Sequence, residues 1–468
     1  MSIFQYSPRF KGLTVFGLLP AHQAQAHAAE QGFVLLLPTD AYIVAGTACV
    51  ALTVLLLTIL PDRLAMGLFR PARLTRWIRC VGLRRWTSCL SFGVLAVLIW
   101  AGLNGSRDPL SNPLPLTVWT VWWVALVTLQ GMLGDLWRWL NPWSGPVALT
   151  RHLLRLPVVL RLPTGLGQGC ALVTFLGFAV FLLADPAPAD PARLAVIVMG
   201  YWLFTYLALL AFGPRWHWRG EGISMLMRNY ATLGLFGRTG RNLGLGATGW
   251  QAIARRPPQM GEAVFMVVML GSGSFDGLNE TFWWLDLMGI NPLEFPGRSA
   301  VTMQNAIGLI AANAALVAAY GLAIWLGMRL IGGEVAPGRA FCLMAPSILP
   351  IALGYHIAHY LPSFLVDGQY VLAVLNDPLA RGSDLLGLGT FYVTTGFFNA
   401  ADSVRVIWLS QAGAVVIGHV LAVIMAHAIA VRAFGDTRRA ALFQTPLAVF
   451  MLVYTLFGLW LLASPRGV

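Results

Sequence analysis

Two histidines three positions apart stand inside an otherwise apolar run, in the stretch Gly354-Tyr355-His356-Ile357-Ala358-His359-Tyr360. Ionisable side chains at membrane depth are costly and mark candidate functional sites. An i, i+3 pair shares one helix face, so His356 and His359 can both point into a helical bundle. Imidazole is a ligand for zinc, copper, iron or nickel. With Asp276, Glu280 or His419 added, the set reaches three or four donors, a catalytic type of coordination with room for water. Zinc is the favoured ion and copper the alternative, because zinc lowers the pKa of a bound water to about 7 and makes hydroxide at neutral pH. Asp276 and Glu280 are then candidate catalytic carboxylates. Tyr355 and Tyr360 are candidate donors to a developing oxyanion or leaving group.

Other readings of the same residues stay open. The histidines could hold helices together through Asn305, Gln304 or a backbone carbonyl, or relay protons. Asp276 and Glu280 could be solvated acids of an outer loop. Trp283 and Trp284 fit an interfacial aromatic belt.

The elements that must position these groups follow from composition. Hydrophobic residues make up 57% of the 468-residue chain and charged residues 11%, with a mean hydropathy of +0.70. Soluble domains carry about 25% charge, so the chain reads as an integral membrane protein, an all-α polytopic bundle. Its length allows about ten spans of roughly 20 residues. Apolar runs place them near 41–60, 88–103, 116–133, 166–183, 194–212, 262–288, 300–326, 340–364, 404–431 and 442–463.

Residues 1–26 read as a secretory signal, with Arg9 and Lys11 before a short apolar core and Ala24-Gln25-Ala26 as a cleavage site. Cleavage there makes His27 the mature N-terminus, outside the cytoplasm, where its α-amine and imidazole would chelate copper. A cut one or two residues later removes it. The remainder, 27–468, reads as one membrane domain.

The net charge of +12 comes almost wholly from arginines grouped in alternate loops. That is a topology signal, not a nucleic-acid surface, and it gives a multi-pass protein of the bacterial inner membrane. The segment 214–260 reads as a cytoplasmic, interfacial stretch, with His217 at headgroup level. The segment 366–403 reads as a long outer loop. In the sixth span the run Gly271-Ser272-Gly273-Ser274-Phe275-Asp276-Gly277 predicts an interrupted helix lining protein or a cavity. The five cysteines lack a CxxC spacing, which argues against a disulfide framework or a cysteine-ligated zinc site.

Depth follows from a rise of 1.5 Å per residue: His356 and His359 lie about 24 and 28 Å above Ala340, and Asp276 about 21 Å above Glu262. Gln304 and Asn305 fall in the same outer layer. His419 lies deeper and is a conditional ligand. His427 is about 12 Å further down and cannot share an ion with it.

Short motifs are similar to those of a family of bacterial polytopic membrane proteins. They are His27 with Leu35-Leu36-Leu37-Pro38, Gly134-Asp135 with Asn141-Pro142-Trp143, Phe275-Asp276-Gly277, Asp377-Pro378 with Asp384-Leu385, and Gly418-His419. With these the chain resembles the fenitrothion hydrolases, membrane-bound organophosphorus triester hydrolases. The resemblance implies phosphotriester hydrolysis on a small hydrophobic substrate drawn from the lipid bilayer. A metal–histidine–carboxylate site would suit that chemistry. Two further functions compete: a copper or other transition-metal transporter or binding protein with ligands at several depths, and a membrane-anchoring subunit for a second protein.

Overall fold

In hydrocarbon every backbone N–H and C=O must be satisfied within its own segment, and the apolar runs of this chain resolve into helices. The computed structural model describes residues 34–76, 81–294, 297–333, 335–389 and 391–466. The signal segment, His27 and Cys80 lie outside them.

Among the described residues eight helical segments are long and apolar enough to cross a membrane. In chain order the helices used below are α1 (Thr39–Ile59), α2 (Val81–Asn104), α3 (Pro113–Leu133), α4 (Gly169–Ala184), α5 (Pro191–Phe212), α6 (Gly222–Ala231), α7 (Met260–Leu278), α8 (Thr302–Leu330), α9 (Leu349–Asn376), α10 (Ala401–Phe434) and α11 (Thr437–Ala463). The expected fourth and sixth spans correspond to α4 and α7, which are not among the eight. Shorter turns connect them.

The eighth and ninth expected spans form the centre. The segment Pro337–Asn376, which contains α9, is 83% buried over its most apolar window, against 11% for α1. α9 packs on α10, α3 and α7, while α10 also packs on α11 and α1. The α9–α10 approach is backbone to backbone. A Cβ on Gly354 would sit 2.5 Å from the Ala414 carbonyl oxygen, and one on Gly418 would sit 2.6 Å from that of Pro350. Small residues at a crossing point are what let membrane helices meet this closely.

Two expectations are corrected. α7 is not interrupted: it runs as one helix through Gly271, Gly273 and Gly277 to Leu278. Glycine is a poor helix former in water, but lipid leaves the backbone no other partner, and the glycines receive side chains of α8 and α9. α9 does not stop near residue 364 either. It continues through Pro362 to Asn376, so the loop expected at 366–403 begins after that residue.

Part of the segment 214–260 is buried within the protein. α6 is buried along most of its length, through Ile223, Met225, Leu226, Met227 and Tyr230. Its N-terminus is capped by Glu221, itself fully buried, whose Oε1 and Oε2 accept from Ile223 N at 2.8 Å and Ser224 N at 2.6 Å. The Tyr201 hydroxyl donates to the same carboxylate. Burial pushes the Glu221 carboxyl above its usual range, opposed by hydrogen bonds from Ser224 and Tyr201. His217 pairs Nδ1 with Ser224 Oγ at 3.1 Å. Burial, with the Arg228 guanidinium adding to it, pulls the His217 pKa down to about 4.

A small antiparallel sheet accompanies the helices. Strands β1 (Ala72–Arg76), β2 (Phe236–Thr239) and β3 (Asn242–Leu245) lie in the order β1-β3-β2. The sheet ties the loop after α1 to the segment 214–260. Arg219 donates to the Gly167 and Thr164 carbonyls, and Arg432 to that of Ile253. Four of the arginine-rich connections thus meet at one end of the bundle. Asp185 and Arg193, paired at 2.6 Å, lie in the α4–α5 turn away from that end.

Candidate functional site

The site is assembled where α9 crosses α7 and α3. Along α9 the i, i+4 spacing stacks Tyr355 on His359, with ring centroids 6.2 Å apart and planes 9° apart. The same spacing sets His356 edge-on to Tyr360 at 5.0 Å. The two histidines then turn to different neighbours. His359 faces α7, with Nε2 3.3 Å from Asp276 Oδ2. His356 faces α3, where Nε2 donates to the Trp123 carbonyl at 3.0 Å and the ring stands edge-on to the Trp123 indole. Trp123 lies in a π-helical stretch, Leu116–Leu126, a rare wide-turn geometry that is frequent at functional sites.

Asp276 also accepts from the Tyr360 hydroxyl. A carboxylate only accepts, so the hydrogen between it and His359 is assigned to Nε2, and the lone pair of the ring is left at Nδ1. Nδ1 is buried and has no hydrogen-bond partner among the described residues. The Tyr355 hydroxyl is in the same condition. Both atoms face the bare Cα of Gly277: a Cβ there would run into the Tyr355 hydroxyl and lie 3.7 Å from His359 Nδ1. Side chains of Asp276 and His359 are 13% and 10% exposed.

These groups line a cavity of about 30 Å³, walled on its apolar side by Trp123, Phe178 and Leu182. A water needs roughly 10–15 Å³ of such space and two to four polar partners. The cavity therefore suits one or two waters, and His359 and Tyr355, each with a buried polar atom that has no partner among the described residues, are among the residues that line it.

The remaining expected residues are dispersed. Glu280 is exposed, past the end of α7. Asn305 accepts from Trp284 Nε1 at 2.9 Å, away from the histidine pair. His419, 1% exposed, has Nδ1 2.9 Å from the Val415 carbonyl, and its Nε2 is buried without a partner among the described residues. It does not line the cavity. His427 pairs with Gln444 at 3.4 Å beside a second cavity of about 210 Å³. Among the described residues no three His, Cys, Asp or Glu side chains gather as a metal-binding group. His27 is outside that set.

Sequence reasoning missed three members of this neighbourhood. The Trp123 carbonyl is a backbone atom and carries no side-chain signature. Ser274 and Tyr454, joined by a 2.6 Å hydrogen bond, are polar residues in apolar helices. Ser274 stands in the Gly271–Gly277 run already singled out, and the signal for Tyr454 is its place in the apolar run near 442–463.

Comparisons with family models, with curated proteins and with solved structures find no match. What the fold and site define is an all-α bundle with, among the described residues, eight helices able to cross a bilayer, and a carboxylate–imidazole–phenol cluster buried within the bundle.

Proposed function

We propose that the chain is an integral-membrane hydrolase of small hydrophobic organophosphorus triesters, with Asp276 and His359 as its base pair. The observation that carries this reading is the oriented imidazole: Asp276 holds Nε2–H of His359, Nδ1 is buried with no partner among the described residues, and His359 lines a water-sized cavity. In the reaction, His359 Nδ1 takes a proton as the water oxygen bonds to phosphorus, and the P–O bond to the leaving aryloxide breaks. Asp276 stabilises the imidazolium. The Tyr355 hydroxyl is placed to donate to the oxygen that gains charge. The ester itself is larger than the cavity, so its entry requires the Phe178–Leu182 face of α4 to move.

Zinc or copper remains a candidate cofactor. His359 Nδ1 is the described atom that would hold the ion, which would supply an acidified bound water; Asp276 sits at Nε2, across the ring, and cannot share that ion. One donor is fewer than the three protein ligands of a catalytic zinc site, so no step above depends on it.

Ten spans are proposed in a bacterial inner membrane, the eight long apolar helices plus α4 and α7, with the mature N-terminus outside after loss of 1–26. The meeting of arginine-rich connections at one end supports placing that end in the cytoplasm, which puts Asp276 and His359 in the outer half.

The test is hydrolysis of a chromogenic aryl phosphotriester by protein reconstituted in liposomes. The expected result is turnover that falls about 10²–10⁴-fold in His359→Gln. No turnover in the wild type, or full turnover in the variant, overturns the reading. The size of the cavity favours a second reading, passage of a small cation such as copper, which would show as metal uptake by the same liposomes.

A further inference from the structure

Three of the buried polar atoms that have no partner among the described residues lie in the middle of the bundle: His359 Nδ1, the Tyr355 hydroxyl and His419 Nε2. We propose that they mark a water-bridged proton path linking the 30 Å³ cavity at Asp276 to the 210 Å³ cavity at His427. The inference rests on His359 as the group that receives the proton, but the path is a separate property of the chain.

The two ends are joined by a series of neighbouring groups. Tyr355, 3% exposed, is wedged between two glycines. A Cβ on Gly273 of α7 would lie 3.8 Å from its ring, as would one on Gly458 of α11. Next to Gly273 is Ser274, and one turn before Gly458 is Tyr454, the pair joined at 2.6 Å. The Tyr454 ring stands 6.4 Å from that of His419 on α10. One turn further along each of these helices, Val423 and Met451 line the second cavity. That cavity carries Thr58, His427, Gln444 and Thr445 as its polar groups and is large enough for several waters.

Transfer along this series is balanced at every group. Each hydroxyl, on Tyr355, Ser274 and Tyr454, breaks one O–H bond as it forms another and keeps no charge. His419 bonds the proton at Nε2 and releases it from the same nitrogen, because its Nδ1–H remains on the Val415 carbonyl. The path needs a bridging water in each of three gaps: Tyr355 to Ser274, Tyr454 to His419, and His419 to the second cavity past Val423 and Met451. At the Asp276 end, His359 takes a proton at Nδ1 while its Nε2 proton can pass to the carboxylate. In a hydrolase, this route carries the acid formed in the reaction away from the site.

The experiment uses full-length protein in liposomes loaded with a pH-sensitive dye, with a potassium gradient and valinomycin driving proton entry and no ester present. The expected result is proton flux at least 10-fold above that of protein-free vesicles. It should fall at least 10-fold in Tyr454→Phe and in His419→Asn, and be unchanged in Ser410→Ala, an exposed residue of α10. Tyr454→Phe removes one oxygen only, and a variant counts only if it purifies as a folded monodisperse species. Wild-type flux equal to that of empty vesicles, or equal flux in both folded variants, overturns the path. Neither result bears on ester hydrolysis, which is assayed separately.

Discussion

Asp276 Oδ2 lies 3.3 Å from His359 Nε2, and this one contact decides which nitrogen of the imidazole is basic. Asp276→Asn presents an amide that can donate as well as accept, so the ring is free to adopt the other tautomer. The expected outcome is a mixed or reversed tautomer in ¹⁵N NMR of histidine-labelled protein, with any hydrolytic rate reduced about 10²–10⁴-fold. An unchanged tautomer and rate would remove Asp276 from the site.

The close approach of α9 and α10 predicts a steep size limit. Gly354→Val forces side-chain atoms against the Ala414 carbonyl, 2.5 Å from the position of the first carbon. Overpacking of this kind costs about 1–3 kcal/mol or more. It should lower the thermal midpoint in detergent and displace the histidines that follow in the same helix. Gly413→Ala, where nothing lies within 4 Å, should change stability by no more than about 0.5 kcal/mol. Equal effects of the two substitutions would contradict the backbone crossing.

His217 gives a pH dependence whose sign is fixed. Its pKa in the folded chain is about 4, against an ordinary value of 6.5. Between those values the unfolded chain binds more protons, so stability falls as pH is lowered from 6.5 to about 4. The full effect is about 3 kcal/mol. Glu221, whose carboxyl is shifted upward by burial, slopes the opposite way, so the measurement is a difference. Subtracting the His217→Gln unfolding profile from the wild-type one should leave a curve that declines only in this window. A flat difference would show that His217 is solvated in the folded state.

Much of the bundle was legible because segment length and hydropathy are local properties. The spans expected at 41–60, 194–212 and 442–463 match Thr39–Ile59, Pro191–Phe212 and Thr437–Ala463 within a few residues. Counting residues along helices also brought Asp276 to the level of His359, which succeeds because the rise per residue is constant when a helix is unbroken. Reading the glycines of α7 as a break applied a preference measured in water to a segment whose backbone has only itself to bond with. His356 could be foreseen as buried, but its partner is a carbonyl of Trp123, and every residue has a carbonyl. The burial of α6 was hidden for a related reason. Glu221 and Arg228 make that segment look like surface until their partners across the fold are known.

The small sheet has a consequence for how the protein is made. β1 ends at Arg76, and its pairing partner β3 ends at Leu245, so about 170 residues are synthesised between them. At 5–20 residues per second that is on the order of 10–30 s. During this interval α2 to α5 are made while β1 waits as an unpaired strand edge, the kind of template that invites association with other chains. The arginines at Arg73 and Arg76 protect it by charge. Arrival of the β2–β3 hairpin then acts as a latch, fixing the early helices to a later segment before the central helix α9 has been translated.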